Sequence, residues 1–199
     1  MSIATVHDLI PLKFPEQYLD RLDPGAFDDY IGRLTRLRLL DGIIAVSKTT
    51  KDDLLRYTSV PEQKISVIYE GADGMFFDRP SRTDADEVRY RYGLPRNFLF
   101  SLGGENFRKN NENLIRSFAI LTKKYPGDIA LVLGGNFTGE YRDGLTRLAK
   151  ELGVAGKVMF TGTIPDGDMT AVYNLSTVFV FPSLYEGFGL PPLEAMRCG

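Results

Sequence analysis

The feature that most constrains the fold is a repeated order in the second half of the chain: a short apolar run, a glycine turn, then a helical pattern. The apolar runs are residues 98–102, 129–133, 157–161 and 177–181. Turns follow three of them, at Gly103-Gly104, Gly134-Gly135 and Gly162. Runs that are apolar almost throughout are typical of strands buried on both faces of a parallel sheet. This half therefore predicts a doubly wound α/β domain, in which ligands bind beyond the carboxyl ends of the strands.

Helical segments separate these runs, because apolar residues recur there at spacings of three and four. Two such faces are predicted, consisting of Leu114, Phe118 and Leu121, and of Leu145, Leu148 and Leu152.

The first half alternates in the same way but more sparsely. It predicts strands at 4–6, 42–46 and 65–69, a helix over about 27–40, and a helix from an N-cap at Ser47 to about Tyr57. The glycine- and proline-containing stretch 71–84 is interpreted as a linker, which gives domains 1–79 and 80–199. Three strands make a small sheet and four leave an edge open, so we expect both domains to be parts of a longer chain.

Composition excludes several classes of protein. The 24 Lys and Arg are balanced by 26 Asp and Glu, which argues against a nucleic-acid partner. Cys198 is the only cysteine, so no internal disulfide can form. There is no signal-peptide pattern and no apolar stretch of ~20 residues. These features predict a cytoplasmic protein.

The segment 181–195 carries the strongest chemical signal. Gly187 and Gly189 lie just before a predicted helix whose first turn holds Pro191 or Pro192. A helix N-terminus exposed beside glycines is suited to bind a phosphate group. Glu186 and Glu194 flank it, and carboxylates beside a diphosphate are suited to accept the hydroxyl groups of sugars and riboses. Taken singly, either glutamate is equally well explained as a solvated or helix-dipole residue.

A second strand-to-helix segment, 103–111, contains Arg108 and Lys109. Cations here would stabilise the charge that grows on a diphosphate leaving group, whereas the alternative is a solvated basic pair. His7 is the only histidine, and taken alone it favours a structural or solvated role.

Glu186 and Glu194, with seven residues between them that include Gly-Phe-Gly-Leu-Pro-Pro, resemble the Glu-x7-Glu motif of the retaining family 4 (group 1) glycosyltransferases. The resemblance extends to the histidine loop (6–11), the last strand and helix of the N-terminal domain (44–54) and the entry to its linker (67–73). It implies a GT-B fold with two Rossmann-like parallel-sheet domains. The N-terminal acceptor-binding domain would be only partly present, and the C-terminal donor-binding domain would lack its last strands.

The resemblance also implies roles for individual residues. Lys109, assisted by Arg108, would contact the diphosphate, Glu186 the sugar hydroxyls and Glu194 the ribose, with His7 near the transferred sugar. Gly104 stands where many members carry an arginine. The predicted catalytic residues are thus His7, Arg108, Lys109 and Glu186. The predicted donor-binding residues are Gly104, Gly162, Thr163, Gly187, Phe188, Gly189, Leu190 and Glu194.

The reaction implied is transfer of a hexose, with mannose suggested by the loop style, from a nucleotide diphosphate sugar to a hydroxyl of a glycan or lipid-linked acceptor. Anomeric configuration would be retained, no metal or other cofactor would be needed, and peripheral contact with the inner face of the membrane is compatible with this role. Two Asp-x-Asp pairs, 84/86 and 166/168, are explained by their positions at helix starts. Asp166 could either contact the base edge or cap the helix that starts near Met169.

Two alternatives stay open. In the first, the chain has the same fold but is a catalytically inactive nucleotide-sugar-binding fragment. The second is a dinucleotide-dependent oxidoreductase, which predicts a Gly-x-Gly-x-x-Gly turn that Gly103-Gly104 does not complete.

Overall fold

A computed structural model of the chain describes residues 1–77 and 80–199. Its described strands form two parallel sheets, which confirms the α/β class. The strands are β1 Ile3–Val6, β2 Gly42–Ala45, β3 Ile65–Val67, β4 Phe98–Leu102, β5 Ala130–Gly134, β6 Val158–Gly162 and β7 Val178–Phe179. Each overlaps a predicted run, although β2, β3 and β7 are shorter than predicted.

The chain divides into two compact units. Unit 1 comprises Met1–Gly71 together with Tyr185–Leu190, and unit 2 comprises Ala72–Leu184 together with Pro191–Gly199. The predicted domain boundary after Arg79 lies outside the described residues, so the domain limits 1–79 and 80–199 stay a prediction.

Unit 1 is built on the sheet β1-β2-β3, with Ile3 paired to Gly42 and Ala45 paired to Val67. Its helices are α1 Ile10–Lys13, α2 Pro24–Leu37 and α3 Lys48–Tyr57, with shorter 3-10 turns at Pro15–Gln17, Leu19–Arg21 and Glu62–Lys64. Its apolar core consists of Leu9, Ile43, Ala45, Leu54, Val60 and Ile65.

Local capping explains where the helices of unit 1 begin. Ser47 Oγ accepts a hydrogen bond from the Thr50 amide at 3.0 Å, which confirms the predicted N-cap of α3. Helix α2 begins at Pro24 rather than at Phe27, because the Asp23 carboxylate accepts from the Ala26 amide at 3.0 Å and proline suits the first helical position. Helix α2 also ends at Leu37, so the predicted extension to residue 40 is wrong.

Unit 2 is built on the sheet β6-β5-β4-β7. The chain moves from β4 outward to β6 and then returns to the opposite side of β4 for β7. The strand order therefore reverses between β4 and β7, which makes this position a topological switch point.

The helices of unit 2 are α4 Arg82–Tyr92, α5 Asn111–Lys124, α6 Gly139–Glu151, α7 Asp166–Leu175 and α8 Leu190–Cys198. The first residue of α8, Leu190, is the last residue of unit 1. Shorter 3-10 turns lie at Gly74–Phe77, Phe107–Lys109 and Ala155–Lys157. The predicted linker therefore contains a 3-10 turn and the start of α4. The prediction that Leu152 lies on a buried helical face is wrong, because Leu152 is 36% exposed and follows the end of α6. Asp166 is the first residue of α7 and Pro165 is the N-cap, so Asp166 does not cap this helix, and its contact with a base edge stays a prediction.

Candidate functional site

The turn after β4 and the chain after β7 are joined at the switch point of unit 2. The Leu184 amide donates to the Arg108 carbonyl at 2.8 Å, and Asn110 Nδ2 donates to the Pro182 carbonyl at 3.1 Å. Lys109 Nζ lies 5.4 Å from the centre of the Phe181 ring. Arg108 and Lys109 therefore lie at the end of the sheet where open α/β domains bind their ligands.

Two asparagines that the motif interpretation did not single out shape this turn. Asn110 has a left-handed backbone (φ 58°), which asparagine tolerates better than most residues. Asn111 is 1% exposed, and its Nδ2 donates to the Gly104 carbonyl at 3.0 Å. Adjacent asparagines at a helix start were the available signal, because asparagine is favoured where the backbone must turn.

The glycines of this turn allow close backbone approach. Gly104 has φ 97°, and a Cβ there would lie 3.0 Å from the Asn136 carbonyl oxygen. A Cβ on Gly103 would lie 3.2 Å from Lys109 Cβ, so the stem of the lysine passes directly over Gly103. The structure thus gives Gly104 a packing role against the turn after β5, and its predicted contact with a donor stays a prediction.

Strand β6, at the opposite edge of the same sheet from β7, ends at Gly162, and Thr163 follows it. Gly162 has φ 75°, with no atom within 4 Å of the position that a Cβ would occupy, and Thr163 is exposed. The predicted contact of both residues with the donor stays a prediction.

Glu194 lies in α8, whose first turn contains Pro191 as predicted. The Tyr173 hydroxyl donates to Glu194 Oε2 at 2.9 Å. Burial, followed by the charge of Glu194, raises the pKa of Tyr173 well above its ordinary value, so the phenol stays a protonated donor. One carboxylate oxygen is thus oriented from within unit 2.

The Glu186 turn is packed within unit 1. The Gly187 carbonyl lies 2.5 Å from Ser47 Oγ and 3.3 Å from Thr50 Oγ1. A Cβ on Gly187 would lie 2.0 Å from the His7 carbonyl oxygen, so only glycine fits at this position. The Phe188 ring lies 6.1 Å from the Tyr69 ring. The structure therefore brings the backbone of the predicted His7 and Gly187 sites together.

The His7 side chain is paired with a carboxylate that was not predicted as a site residue. His7 Nδ1 lies 2.7 Å from Glu70 Oε1, with side chains 68% and 22% exposed respectively. A carboxylate at Nδ1 favours the tautomer protonated there and leaves Nε2 available.

Residues 1–77 and 80–199 contain no group of three or more His, Cys, Asp or Glu side chains arranged to hold a metal ion. None of the helices described is long and apolar enough to cross a bilayer.

The folds of the two units define a class: nucleotide-binding-type parallel α/β sheets, with a glycine turn and a helix start at the switch point of unit 2. The sequence matches the family described as Glycosyl transferases group 1 over residues 84–199, and the family described as Glycosyltransferase Family 4 over residues 2–74. Since the first match alone covers more than half of the chain, the chain belongs to the group 1 glycosyl transferases.

Relatives of known name agree with this membership. The chain is 36% identical to the serotype-specific mannosyltransferase WbdA of Escherichia coli over 201 aligned residues, covering all of this chain and 24% of WbdA. It is 30% identical to the O-antigen chain mannosyltransferase B of Escherichia coli, covering 79% of this chain and 41% of that protein. The chain thus spans about a quarter of the length of WbdA and less than half that of mannosyltransferase B.

Solved structures share the fold. Anabaena HepE in complex with UDP and glucose matches with a TM-score of 0.75 at 19% identity, over 98% of this chain and 50% of that one. WaaG, a glycosyltransferase of lipopolysaccharide biosynthesis, matches with a TM-score of 0.76 at 17% identity, over 100% of this chain and 54% of that one. The predicted GT-B type of fold is confirmed, with about half of each neighbour's length represented.

Proposed function

We propose that the chain carries the donor-binding machinery of a retaining hexosyltransferase. It would transfer a sugar, mannose being the first candidate, from a nucleotide diphosphate sugar to a hydroxyl of a glycan or lipid-linked acceptor. The observation that carries the proposal is the switch point of unit 2, where Arg108 and Lys109 are fixed beside the chain that leads into the Glu-x7-Glu segment. The mannosyltransferase names of several relatives support the choice of sugar.

Each group has a defined chemical task in this proposal. As the bond between the sugar anomeric carbon and the diphosphate breaks, the acceptor hydroxyl oxygen bonds to that carbon and its proton passes to the leaving diphosphate. Lys109 and Arg108 stabilise the negative charge that grows on the leaving oxygen. Glu186 accepts hydrogen bonds from the sugar hydroxyls, and Glu194, oriented by Tyr173, accepts from the ribose. His7, oriented by Glu70, lies near the transferred sugar, on the side where the acceptor binds. No step requires a metal, because positioning and fixed charges supply the stabilisation.

A transfer assay tests the proposal and separates it from an inactive binding fragment. The chain is incubated with GDP-mannose or UDP-glucose and a mannose-terminated oligosaccharide, and the product linkage is determined by NMR. We expect an α-linked product, hence retention, at a rate that Lys109→Ala lowers by roughly a hundredfold.

Two results of these measurements would contradict the proposal. Donor binding by calorimetry without any product, in the presence of a range of acceptors, would favour the inactive fragment. An inverted linkage would contradict the retaining mechanism.

A further inference from the structure

Helix α3 and its N-cap residue carry three buried polar side chains along one side. Ser47, Thr50 and Asp53 are 9%, 1% and 6% exposed, and their spacing of three places them in one row along the helix. In the described part of unit 1, the buried polar residues are these three. The rest of the unit 1 core is apolar. Because a buried polar group needs a hydrogen-bond partner, this polar row indicates a dedicated contact.

All three side chains of the polar row meet the segment from Tyr185 to Gly187. The hydroxyls of Ser47 and Thr50 lie within hydrogen-bond distance of the Gly187 carbonyl, at 2.5 and 3.3 Å. The Asp53 carboxylate accepts a hydrogen bond from the Tyr185 hydroxyl. Glu186 is the residue between the two that are held.

The same row also reaches the histidine loop. Thr50 Oγ1 lies 3.2 Å from the His7 carbonyl oxygen, the atom against which Gly187 packs without room for a Cβ. One hydroxyl thus lies within hydrogen-bond distance of the main chain at His7 and at Gly187. A shift of α3 would therefore displace both.

The side chain of Tyr185 is fixed on several sides. Lys13 Nζ lies 4.2 Å from the centre of its ring, and the Phe14 ring meets it edge-on at 6.0 Å. Burial, and then the bond to Asp53, raise the pKa of Tyr185 above its ordinary value, so that the hydroxyl remains a donor.

We propose that Ser47, Thr50 and Asp53 position the main chain on both sides of Glu186, and that Asp53 is a positioning residue for the sugar end of the donor. This inference rests on the proposed function, in which Glu186 binds the sugar hydroxyls. Lys109 and Arg108 bind the diphosphate in that proposal. Loss of the bond between Asp53 and Tyr185 therefore weakens the contribution of the sugar to binding and spares that of the diphosphate.

Calorimetry with paired ligands tests this claim. Dissociation constants are measured for GDP-mannose against GDP, and for UDP-glucose against UDP, in the parent and in Asp53→Leu, Asp53→Asn and Tyr185→Phe. We expect Asp53→Leu and Tyr185→Phe each to weaken nucleotide-sugar binding by about tenfold, with nucleoside diphosphate binding unchanged within about twofold. Asp53→Asn keeps an amide oxygen that accepts from Tyr185, so it should retain most of the sugar contribution.

Two controls separate positioning from folding. Asp52→Asn changes the exposed neighbour of Asp53 and should bind both ligands like the parent. Tyr185→Phe keeps the ring beside Lys13 and Phe14 and removes only the hydroxyl. In the double variant Asp53→Leu/Tyr185→Phe neither polar group is left unpaired, so its loss should be smaller than the product of the two single losses.

Glu186→Ala distinguishes the possible failures. If it weakens only nucleotide-sugar binding while Asp53→Leu and Tyr185→Phe bind like the parent, the positioning role is overturned and the proposed function stands. An equal loss of nucleoside diphosphate and nucleotide-sugar binding in Asp53→Leu also overturns it, since the defect is then general. If the parent distinguishes no nucleotide sugar from its nucleoside diphosphate, both proposals fail.

Discussion

At the scale of single residues, Gly187 is a position with no room for a side chain. A Cβ there would lie 2.0 Å from the His7 carbonyl oxygen and 3.0 Å from Asp8 Cβ. Neither the backbone nor a Cβ atom can rotate away as the end of a long side chain would. We therefore expect Gly187→Ala to lower the free energy of unfolding by about 2 kcal/mol, measured by urea denaturation.

Gly71→Ala is the matched control in the same unit, because no atom lies within 4 Å of the position of its Cβ. It should stay within about 0.5 kcal/mol of the parent. Equal stability of the two variants would mean that the Glu186 turn does not pack against His7.

A second prediction at this scale concerns the effect of removing the Tyr173 hydroxyl on stability and binding. Tyr173 is 5% exposed and donates to Glu194. Tyr173→Phe should lower the free energy of unfolding by about 1 kcal/mol and weaken nucleoside diphosphate binding about threefold, because Glu194 loses its orienting donor. Tyr90→Phe, at a site 90% exposed, is the control and should change neither quantity. If Tyr173→Phe binds nucleoside diphosphate like the parent, Tyr173 does not orient Glu194 for binding.

At the scale of elements, α5 shows how an amphipathic pattern becomes a packed helix. Phe118 is 2% exposed in the core formed by α5, α6 and the sheet, whereas Ile120 on the same helix is 69% exposed. Phe118→Ala should lower the free energy of unfolding by about 3–5 kcal/mol by leaving a cavity. Ile120→Ala should cost less than about 0.5 kcal/mol. Similar losses from both variants would contradict the orientation of α5.

The contact between helices α4 and α7 predicts how stability depends on pH. Asp168 accepts hydrogen bonds from the Tyr92 hydroxyl at 2.6 Å and from Arg91 Nη1 at 2.7 Å. The bond from Tyr92, then that from Arg91, holds the pKa of Asp168 below its ordinary value. A carboxylate with a lowered pKa in the folded state stabilises the fold above its ordinary pKa, and this stabilisation is lost as the pH falls through the lowered value.

Asp168→Asn should therefore lower the melting temperature slightly at pH 7, on the order of 1 °C because Arg91 is largely exposed. The difference between parent and variant should shrink below about pH 4 and vanish at still lower pH. Scanning calorimetry at pH 7, 5 and 3 measures it, and a constant difference across this range would show that the carboxylate charge is not involved.

The elements also show what the sequence could predict. All seven strands and the two amphipathic helices of the second half were predicted, because periodicity and glycine turns are local signals. Leu152 was placed on a buried face, but α6 ends at Glu151 and its periodicity stops there. β7 covers only Val178–Phe179 of the predicted run 177–181, since its pairing with β4 ends at Phe179.

At the scale of the whole molecule, the sequence predicted the fold class and the switch-point turn but not the assignment of residues 185–190 to unit 1. Tyr185 is 132 residues from its partner Asp53, and no local pattern reports such a pairing. The buried row at Ser47, Thr50 and Asp53 was visible only as a cap at Ser47, because its burial depends on tertiary packing. Glu70 was missed for the same reason, because its partner His7 is distant in the sequence. Asn111 contacts Gly104 within the same turn, and the adjacent asparagines were the local signal for it.

We propose that this chain binds the diphosphate and the sugar of a nucleotide sugar through separate residues. Thermal unfolding with saturating GDP-mannose, GDP, UDP-glucose and UDP tests it most directly, in the parent, Lys109→Ala and Glu186→Ala. We expect at least one nucleotide sugar to raise the melting temperature of the parent by several degrees. Lys109→Ala should lose the shift from nucleotide sugar and nucleoside diphosphate alike, whereas Glu186→Ala should lose only the extra shift due to the sugar. No shift with any of the four ligands, and identical behaviour of the three proteins, would contradict the account.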